Sequence, residues 1–325
     1  MQPIELPLPA LPDTGATMHR LTHDEPLPEQ LRGSVIALGN FDGFHLGHQA
    51  VVNRAITLGF HERRPVIVAT FEPHPVRFFK PDVPPFRLTT LDQRERLFAN
   101  AGADGMLVFN FDHALATTSA EDFVAEILAK RLGVGAVVTG TDFTFGRGRA
   151  GNAEVMRTLG SAQGIETETV APVILDGEPV SSSRIRDALA AGDPATATHL
   201  LTRPFAVEAL VERGDGRGHD LGFPTANVSL GLYQRPAHGI YAVRVRLDDG
   251  SEHSGVASFG VRPMFEGGDE LLETYIFDWE GDLYGRTIEV DLVAWIRPEA
   301  KFDSVDALVE RMRKDEAEAR RLLAA

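Results

Sequence analysis

A short segment rich in glycine and histidine combines the residue types that bind phosphate groups. Gly39–His48 reads GNFDGFHLGH and follows the apolar run Ser34–Leu38, which the pattern predicts as a buried strand. Its glycines allow backbone amides to approach a ligand closely, and the helix predicted from about Gly47 offers its positive N-terminal dipole to an anion. His45 and His48 lie three residues apart where this helix begins, so both imidazoles can face one phosphate group. The segment therefore predicts a phosphate-binding loop.

Two other interpretations of these histidines are open. Both could be exposed turn residues, which is the more usual setting of a lone histidine. They could also form part of a zinc site, although no HExxH pattern and no third ligand stands nearby. The glycine spacing and the position directly after a buried strand favour phosphate binding.

A second anion site is predicted near residue 183. Ser181–Arg186 reads SSSRIR, which places hydroxyl groups at the start of a predicted helix and an arginine on the same turn. Ser182 or Ser183 could instead be a simple N-cap of that helix. The two interpretations are compatible, because an N-cap position is also where an anion binds.

The second half of the chain contains a segment suited to a magnesium ion. Gly214–Gly218 leads into LGFPTAN at Leu221–Asn227, where the Thr225 hydroxyl and the Asn227 amide, two residues apart on an extended segment, point to one face. Hard oxygen ligands of this kind suit Mg²⁺ beside nucleotide phosphates. Taken alone, the segment would more often be an ordinary turn.

The elements that must position these residues divide the chain into two parts, as its 325 residues suggest at about 150 residues per domain. Strands alternate with helices up to about Leu201, which indicates an α/β fold with a parallel sheet. From Phe205 to Arg297 short strands with two-residue periodicity indicate an antiparallel barrel or sandwich, and an amphipathic helix is predicted over about Ser304–Leu323. The predicted strands are Ser34–Leu38, Pro65–Phe71, Gly105–Phe109, Val134–Thr139, Ile165–Val170, Phe205–Glu212, Gly239–Leu247, Ser251–Phe259, Leu271–Asp278 and Arg286–Ile296.

Composition excludes several functional classes. Forty-seven acidic against 32 basic residues give a net charge of -15, which argues against a general nucleic-acid or membrane-surface binder. The chain has no cysteine, so thiol catalysis, cysteine-bound metals and disulfides are impossible. No apolar run approaches the roughly 18 residues of a membrane span, and the proline-rich start lacks a basic signal-peptide region. A cytoplasmic protein is expected.

Two common nucleotide-binding motifs are also excluded. No lysine follows a glycine, so there is no Walker A loop. Gly146–Gly151 is a literal GxGxxG, and Glu168 lies at a suitable distance for a ribose contact. However, the predicted strand before it ends near Thr139, too early for a dinucleotide-binding turn.

Taken together, the motifs of the first half resemble those of the nucleotidylyltransferase superfamily. GNFDGFHLGH is similar to the extended HxGH motif of bacterial FAD synthetases. Thr70–Pro75 (TFEPHP), Gly140–Gly146 (GTDFTFG) and Ser181–Arg186 resemble further segments of those enzymes. Phe44 stands where a small aliphatic residue is usual, and Ser183 where threonine is usual.

The second half resembles riboflavin kinases. LGFPTAN is similar to their metal-binding motif, and Glu273 falls where that family has its catalytic base. Thr202 and Ala209 stand where glycines are general, and Met264 replaces a common threonine. Two motif sets in the correct order over about residues 18–323 identify the chain as a member of the bifunctional riboflavin kinase/FAD synthetase family.

This resemblance implies an N-terminal Rossmann-like adenylyltransferase domain (18–201) and a C-terminal antiparallel β-barrel kinase domain with a terminal helix (202–325), preceded by an extra segment 1–17. The implied reactions are phosphorylation of riboflavin by MgATP to FMN, and adenylylation of FMN by ATP to FAD and pyrophosphate. The implied partners are small molecules, and a homo-oligomer is neither required nor excluded. The implied residues are His45, His48, Arg186 and Glu273 for catalysis, Gly39, Asn40, Phe41, Asp42, Gly43, Asp142, Ser182 and Ser183 for ATP phosphates, Gly216, Gly218, Gly222, Phe223 and Pro224 for the kinase loop, and Thr225 and Asn227 for Mg²⁺.

Two alternatives stand beside this assignment. One is a nucleotidylyltransferase with a single activity on another mononucleotide, against which the LGFPTAN segment argues. The other is a flavin-binding protein with one inactive domain, against which the presence of every motif-matched polar residue argues.

The extra segment generates a first prediction. Residues 1–17 lie outside the resemblance and are rich in proline, so regular structure is not expected there. Deleting them should leave both activities and the melting temperature nearly unchanged, as measured by product chromatography and thermal unfolding. A fall in melting temperature of many degrees would show that the segment packs on the folded protein.

Overall fold

A computed structural model describes residues 18–213, 223–261 and 270–324 of the chain. The segment 1–17, the loop glycines Gly216, Gly218 and Gly222, and Met264 lie outside these residues. The chain divides into two compact units, Met1–Val83 with Leu91–Val173, and Pro84–Thr90 with Ile174–Ala325. The expected domain boundary at residues 201 and 202 stays a prediction.

The first unit contains a six-stranded parallel sheet, which confirms the predicted α/β class. The strands are β1 (His19–Thr22), β2 (Val35–Leu38), β3 (Val66–Glu72), β4 (Gly105–Asn110), β5 (Ala136–Gly140) and β6 (Glu166–Val170). They lie in the order β1-β4-β3-β2-β5-β6. All five predicted strands are present, whereas the edge strand β1 was not predicted because its sequence HRLT is mostly exposed and lacks an apolar pattern.

Helices connect these strands and cover both faces of the sheet. Alternate residues of β2 belong to different cores, Val35 and Ala37 to one and Ile36 and Leu38 to the other. Burial on both faces explains the continuous apolar runs of the central strands. The helices are α1 (Leu46–Glu62), α2 (Pro75–Phe79), α3 (Leu91–Ala101), α4 (His113–Thr117), α5 (Ala120–Asp122), a π-helical continuation of α5 (Phe123–Arg131) and α6 (Ala153–Ala162).

Strand β2 marks the point where the strand order reverses. The chain continues from β2 to β3 on one side, and β5 pairs with β2 on the other. Ligands of open α/β sheets bind beyond the carboxyl ends of the strands at such a reversal. The loop Gly39–His45 leaves β2 at this place, and the loop that starts at Thr141 leaves β5 beside it.

The second unit contains a closed barrel, which decides between the predicted barrel and sandwich. Its strands are β9 (Phe205–Glu212), β10 (Thr225–Ser229), β11 (Gly239–Arg246), β12 (Glu252–Val261), β13 (Glu270–Ile276) and β14 (Thr287–Arg297). They lie in the order β10-β13-β12-β11-β14-β9. Closure depends on β10, which pairs with both β13 and β9 and was predicted only as an extended segment.

Further elements complete this unit. A small hairpin of β7 (Ile174–Leu175) and β8 (Glu178–Pro179) precedes α7 (Ser182–Ala190) and α8 (Pro194–Leu201). Helix α8 ends at Thr202, whose φ of 65° lies in the left-handed region that favours glycine. This conformation accounts for the glycine usual at that position. Among the described residues, no helix has the length and apolar character needed to cross a membrane.

The terminal helix α9 (Val305–Leu323) is fixed to the barrel by a buried ion pair. Asp315, whose side chain is 4% exposed, accepts hydrogen bonds from the Arg297 guanidinium at 2.6 to 3.0 Å and from Arg311 at 3.0 Å. Loss of one partner of such a pair leaves a buried charge uncompensated, so the pair fixes the position of the helix.

The outer surface of the barrel carries a group of charged side chains around Asp291 on β14. Burial, together with the nearby Glu289 and Glu252, raises the pKa of Asp291 to about 7, although Arg246 and Arg203 act in the opposite direction. Burial also lowers the pKa of Arg203 to about 10. The Asp291 carboxyl is therefore held protonated in mildly acidic solution.

This raised pKa makes the barrel sensitive to pH. A carboxyl whose folded pKa lies above its unfolded value stabilises the fold below the unfolded pKa, and that stabilisation is lost as the pH rises through about 7. Relative to an Asp291→Asn variant, the wild type should therefore lose melting temperature between about pH 4 and about pH 8. If the melting temperatures of the two proteins changed in parallel with pH across this range, the raised pKa of Asp291 would be contradicted.

Candidate functional sites

The loop after β2 has an unusual backbone conformation. Phe41 and Phe44 have φ angles of 48° and 46°, a left-handed conformation that costs about 1–3 kcal/mol for each non-glycine residue. Both rings are nonetheless buried. A Cβ atom at Gly39 would lie 3.1 Å from Cζ of Phe41, so a side chain there would crowd this ring. The surrounding structure must therefore hold the loop in place.

His45 and His48 are brought together as predicted. Their rings stack with centroids 3.6 Å apart and an angle of 18°. His45 is buried and caps α1, since its Nδ1 atom accepts a hydrogen bond from the His48 backbone N–H at 3.3 Å. His45 therefore serves as the cap of α1 and, being buried, is not an exposed turn residue, and both rings lie at the end of the sheet where α1 begins.

A zinc site finds no support in the part of the chain that the structure describes. No group of three or more histidine, aspartate or glutamate side chains there is arranged to hold a metal ion.

Helix α3 supplies a buried arginine to the same loop. The Arg94 side chain is 1% exposed, and its Nη1 donates a hydrogen bond to Thr70 Oγ1 at 2.9 Å. Thr70 in turn donates to the Asn40 carbonyl at 2.7 Å. The Arg94 Nη2 atom lies 3.8 Å from Asp42 Oδ1 and 3.9 Å from Glu72 Oε2.

Asp42, which the sequence predicts at the ATP phosphates, is buried beside this arginine, and its role at the phosphates stays a prediction. Its carboxylate is 3% exposed and faces a guanidinium of the protein, as an acceptor-only group must when it is buried. Arg94 was missed because an arginine in a short amphipathic helix is normally a solvated residue, and nothing in the sequence places it inside.

The loop after β5 contributes Asp142 at the same edge of the sheet. Asp142 is exposed, and a Cβ atom at Gly140 would lie 2.8 Å from its Oδ1 atom. Phe145 is buried against Phe123 and forms an isolated antiparallel bridge with Gly151. The literal GxGxxG motif is therefore part of this tight loop and not a strand-to-helix turn.

The serine-rich motif differs from the prediction in detail. The N-cap of α7 is Ser181, which has extended backbone angles and accepts a hydrogen bond from the Arg184 N–H at 3.3 Å. Ser182 and Ser183 are the first helical residues, so neither is the cap. Arg186 donates a hydrogen bond to the Phe86 carbonyl at 2.7 Å, and its guanidinium lies 5.1 Å from the centre of the Phe86 ring. These residues belong to the second compact unit, so their action with His45 and His48 stays a prediction.

In the barrel, register places the predicted kinase residues together. Asn227 of β10 lies directly opposite Glu273 of β13, and directly opposed residues share a face of the sheet. Thr225, two residues earlier, lies on that face too, whereas Val228 and Leu272 are buried on the other. The Asn227 side chain is buried although it is polar, and half-buried Glu273 also lies opposite Ser258 of β12.

The loop before β10 is described only from Phe223 onward. Phe223 is buried and packs edge-on against Tyr275, with ring centroids 5.2 Å apart, while Pro224 is exposed. This contact fixes the point at which the loop enters β10. The glycines at 216, 218 and 222 lie outside the described residues.

Two family models match the chain, each over one of these sites. The model of FAD synthetase matches residues 27–184, and the model of riboflavin kinase matches residues 201–323. The molecule thus combines two enzyme domains of flavin cofactor biosynthesis.

Whole-chain comparisons extend this result. The bifunctional riboflavin kinase/FMN adenylyltransferase of Escherichia coli (strain K12) is 38% identical over 89% of this chain and 92% of that protein, and the one of Pseudomonas fluorescens is 41% identical over 90% and 94%. The chain belongs to this bifunctional family. Its fold matches the crystal structure of a macrolide-efflux protein from Streptococcus pneumoniae with a TM-score of 0.82 and 32% identity, over 92% of this chain and 99% of that one.

Proposed function

We propose that the two reactions of this bifunctional family occur at two separate sites, riboflavin phosphorylation on the barrel and FMN adenylylation at the carboxyl edge of the parallel sheet. The observation that carries the proposal is that the two histidines lie together at the parallel sheet, whereas Asn227 and Glu273 lie together on the barrel. His45 stacks on His48 at the end of β2, and Asn227 pairs with Glu273 across β10 and β13. A cytoplasmic location stays a prediction from the sequence.

At the barrel site, Glu273 acts as the general base. The 5′-hydroxyl oxygen of riboflavin attacks the γ-phosphorus of ATP, ADP departs, and the hydroxyl proton passes to the Glu273 carboxylate. The half-buried position of Glu273 opposite Asn227 suits this role. The carboxylate is open to a substrate, and the strand on which it lies fixes its position. Phosphoryl transfer depends mainly on such positioning.

The residues beside Glu273 also fit a magnesium ion. A hydroxyl and an amide oxygen on one face are neutral hard ligands, which suit Mg²⁺ when nucleotide phosphates supply the negative charge. Thr225 and Asn227 would hold the ion, and the burial of the Asn227 amide suggests that its orientation is fixed. When bound, the metal neutralises phosphate charge.

At the sheet edge, no protein nucleophile is needed. A phosphate oxygen of FMN attacks the α-phosphorus of ATP, and the bond to pyrophosphate breaks. His45 and His48 stabilise the charge that develops on the phosphates, together with backbone amides of Gly39–Gly43 and the N-terminus of α1. Arg186, Asp142, Ser182 and Ser183 are proposed as further contacts of the nucleotide.

Separate sites predict separable losses of activity. Asn227→Ala and Glu273→Ala should each lower riboflavin phosphorylation by at least about 10²-fold, the scale of a lost general base or metal ligand. Adenylylation of supplied FMN should continue at its normal rate. Both rates are measured by chromatography of the flavin products with MgATP.

A matched control for Glu273 is available on the same strand. The Glu270 carboxylate is bound by Arg235 at 2.5 Å and by His238 at 3.0 Å. Glu270→Ala should therefore retain most of the kinase turnover. Loss of both activities in a folded Asn227→Ala protein would refute the two-site assignment.

The role proposed for His48 predicts a loss of activity that is confined to FMN adenylylation. His48→Ala should lower kcat for FAD formation by roughly 10²–10³-fold, the scale for loss of one preorganised donor. Binding of ATP in the ground state should weaken much less, and riboflavin phosphorylation should not change. The measurement is FMN adenylylation at saturating MgATP, with folding checked by circular dichroism.

His61→Ala is the control, since His61 lies exposed in the last turn of the same helix. If His48→Ala behaved like this control, His48 would have no role at the phosphates. If zinc were involved, chelator treatment of the wild type would reproduce the His48 defect even with Mg²⁺ restored.

A further inference from the structure

Helix α3 presents two side chains to the loop that carries the histidines. Arg94 and Phe98 are four residues apart and so lie on one face of the helix. Both are completely buried. Arg94 makes polar contacts with the loop, and Phe98 makes apolar contacts with it.

The apolar contact supports the two phenylalanines with left-handed backbone angles. Phe98 meets the Phe41 ring edge-on with centroids 5.9 Å apart, and the Phe44 ring at 5.2 Å. The Phe41 ring also meets His48 edge-on at 5.3 Å. The position of Phe41 therefore sets one side of the space available to the His48 imidazole.

The polar contacts fix the residues on both sides of Phe41. Through Thr70, Arg94 fixes the carbonyl of Asn40, and directly it faces the carboxylate of Asp42. One planar guanidinium reaches both partners because its two terminal nitrogens point in different directions, which a lysine ammonium on one stem does not reproduce.

A fully buried arginine is also an expensive choice for a purely structural contact. The desolvation of a buried ion pair commonly offsets its attraction, so well-packed apolar residues are often at least as stable. The position of this pair beside a loop with two left-handed phenylalanines suggests that it fixes a geometry.

We propose that Arg94, acting through Thr70, is a positioning residue for FMN adenylylation. It holds Asn40 and Asp42 in place, these fix Phe41, and Phe41 keeps the His48 ring in its stacked arrangement with His45. This inference rests on the role proposed above for His48. It adds that the alignment of the histidines is set by helix α3.

The test breaks the hydrogen-bond relay that runs from Arg94 through Thr70 to the Asn40 carbonyl, without changing the shape of the Thr70 side chain. Thr70→Val deletes the hydroxyl that joins Arg94 to the Asn40 carbonyl, and Thr70→Ser keeps it. Thr70→Val should lower kcat for FAD formation by roughly ten- to a hundredfold, the range expected when a catalytic group is displaced by up to about 1 Å. KM for ATP and FMN should stay within about twofold, because an alignment defect appears mainly in kcat. Thr70→Ser should restore most of the rate.

The protein contains two internal controls. Riboflavin phosphorylation by the same preparation should not change. Thr139→Val removes a comparable buried hydrogen bond, from Thr139 Oγ1 to the Leu38 carbonyl at 2.9 Å, in the same sheet. It should lower the melting temperature about as much as Thr70→Val does while retaining most of the adenylylation rate.

A second pair of variants tests the arginine itself. Arg94→Lys keeps the charge but loses the planar guanidinium, and it should lower kcat at least as much as Thr70→Val, because it also disturbs the contact with Asp42. The double variant Arg94→Lys/Thr70→Val should be little worse than Arg94→Lys alone, because both changes break the same hydrogen-bond relay.

The outcomes separate this inference from the site assignment. A folded Thr70→Val enzyme with normal kcat, or one whose two activities fall equally with its melting temperature, would overturn the positioning role. If His48→Ala were also fully active, the role of His48 itself would fail. A defect in His48→Ala with none in Thr70→Val would refute only the relay.

Discussion

Parallel pairing of β2 with β3 and β5 is the constraint on which the adenylyltransferase unit depends. Parallel strands deliver their carboxyl ends to one edge, so the loops that start at Gly39, Pro73 and Thr141 emerge side by side although they are far apart in sequence. Burial of both sheet faces makes this edge rigid, because helices pack against alternate residues of every central strand. Loops held in this way can keep a strained conformation that a mobile loop would not retain.

The barrel uses a different principle to assemble its site. Antiparallel register, and not strand order, places Asn227 opposite Glu273, and a slip of one residue would move either side chain to the interior face. Closure by β10 between β9 and β13 prevents such a slip, since β10 is paired along both edges. The terminal helix adds to this rigidity through the buried pair of Arg297 and Asp315.

Local chemistry also explains how a chain with a net charge of -15 can serve anionic substrates. Beside the histidine loop, the carboxylates of Asp42 and Glu72 both lie within 4 Å of the Arg94 guanidinium, at 3.8 and 3.9 Å. Backbone amides and helix N-termini add positive potential without any net charge. Phosphate binding therefore depends on the few ångströms around each loop, and the total charge concerns solubility and macromolecular partners.

The sequence by itself determined the class of each unit, because hydrophobic periodicity is a local property, and its two motif sets carried the resemblance to the family. It predicted the strands of both sheets except β1, which has no apolar pattern, and it predicted β10 only as an extended segment. Only the tertiary structure decided that the barrel closes, that Ser181 is the cap of α7, and that Asp42 faces a buried Arg94. Closure of the barrel and the contact of Asp42 with Arg94 depend on residues far apart in the chain, because an arginine in a helix has the same local pattern whether water or a carboxylate surrounds it. The cap is a local contact, but three successive serines offer the same side chain, so their pattern does not show which of them begins the helix.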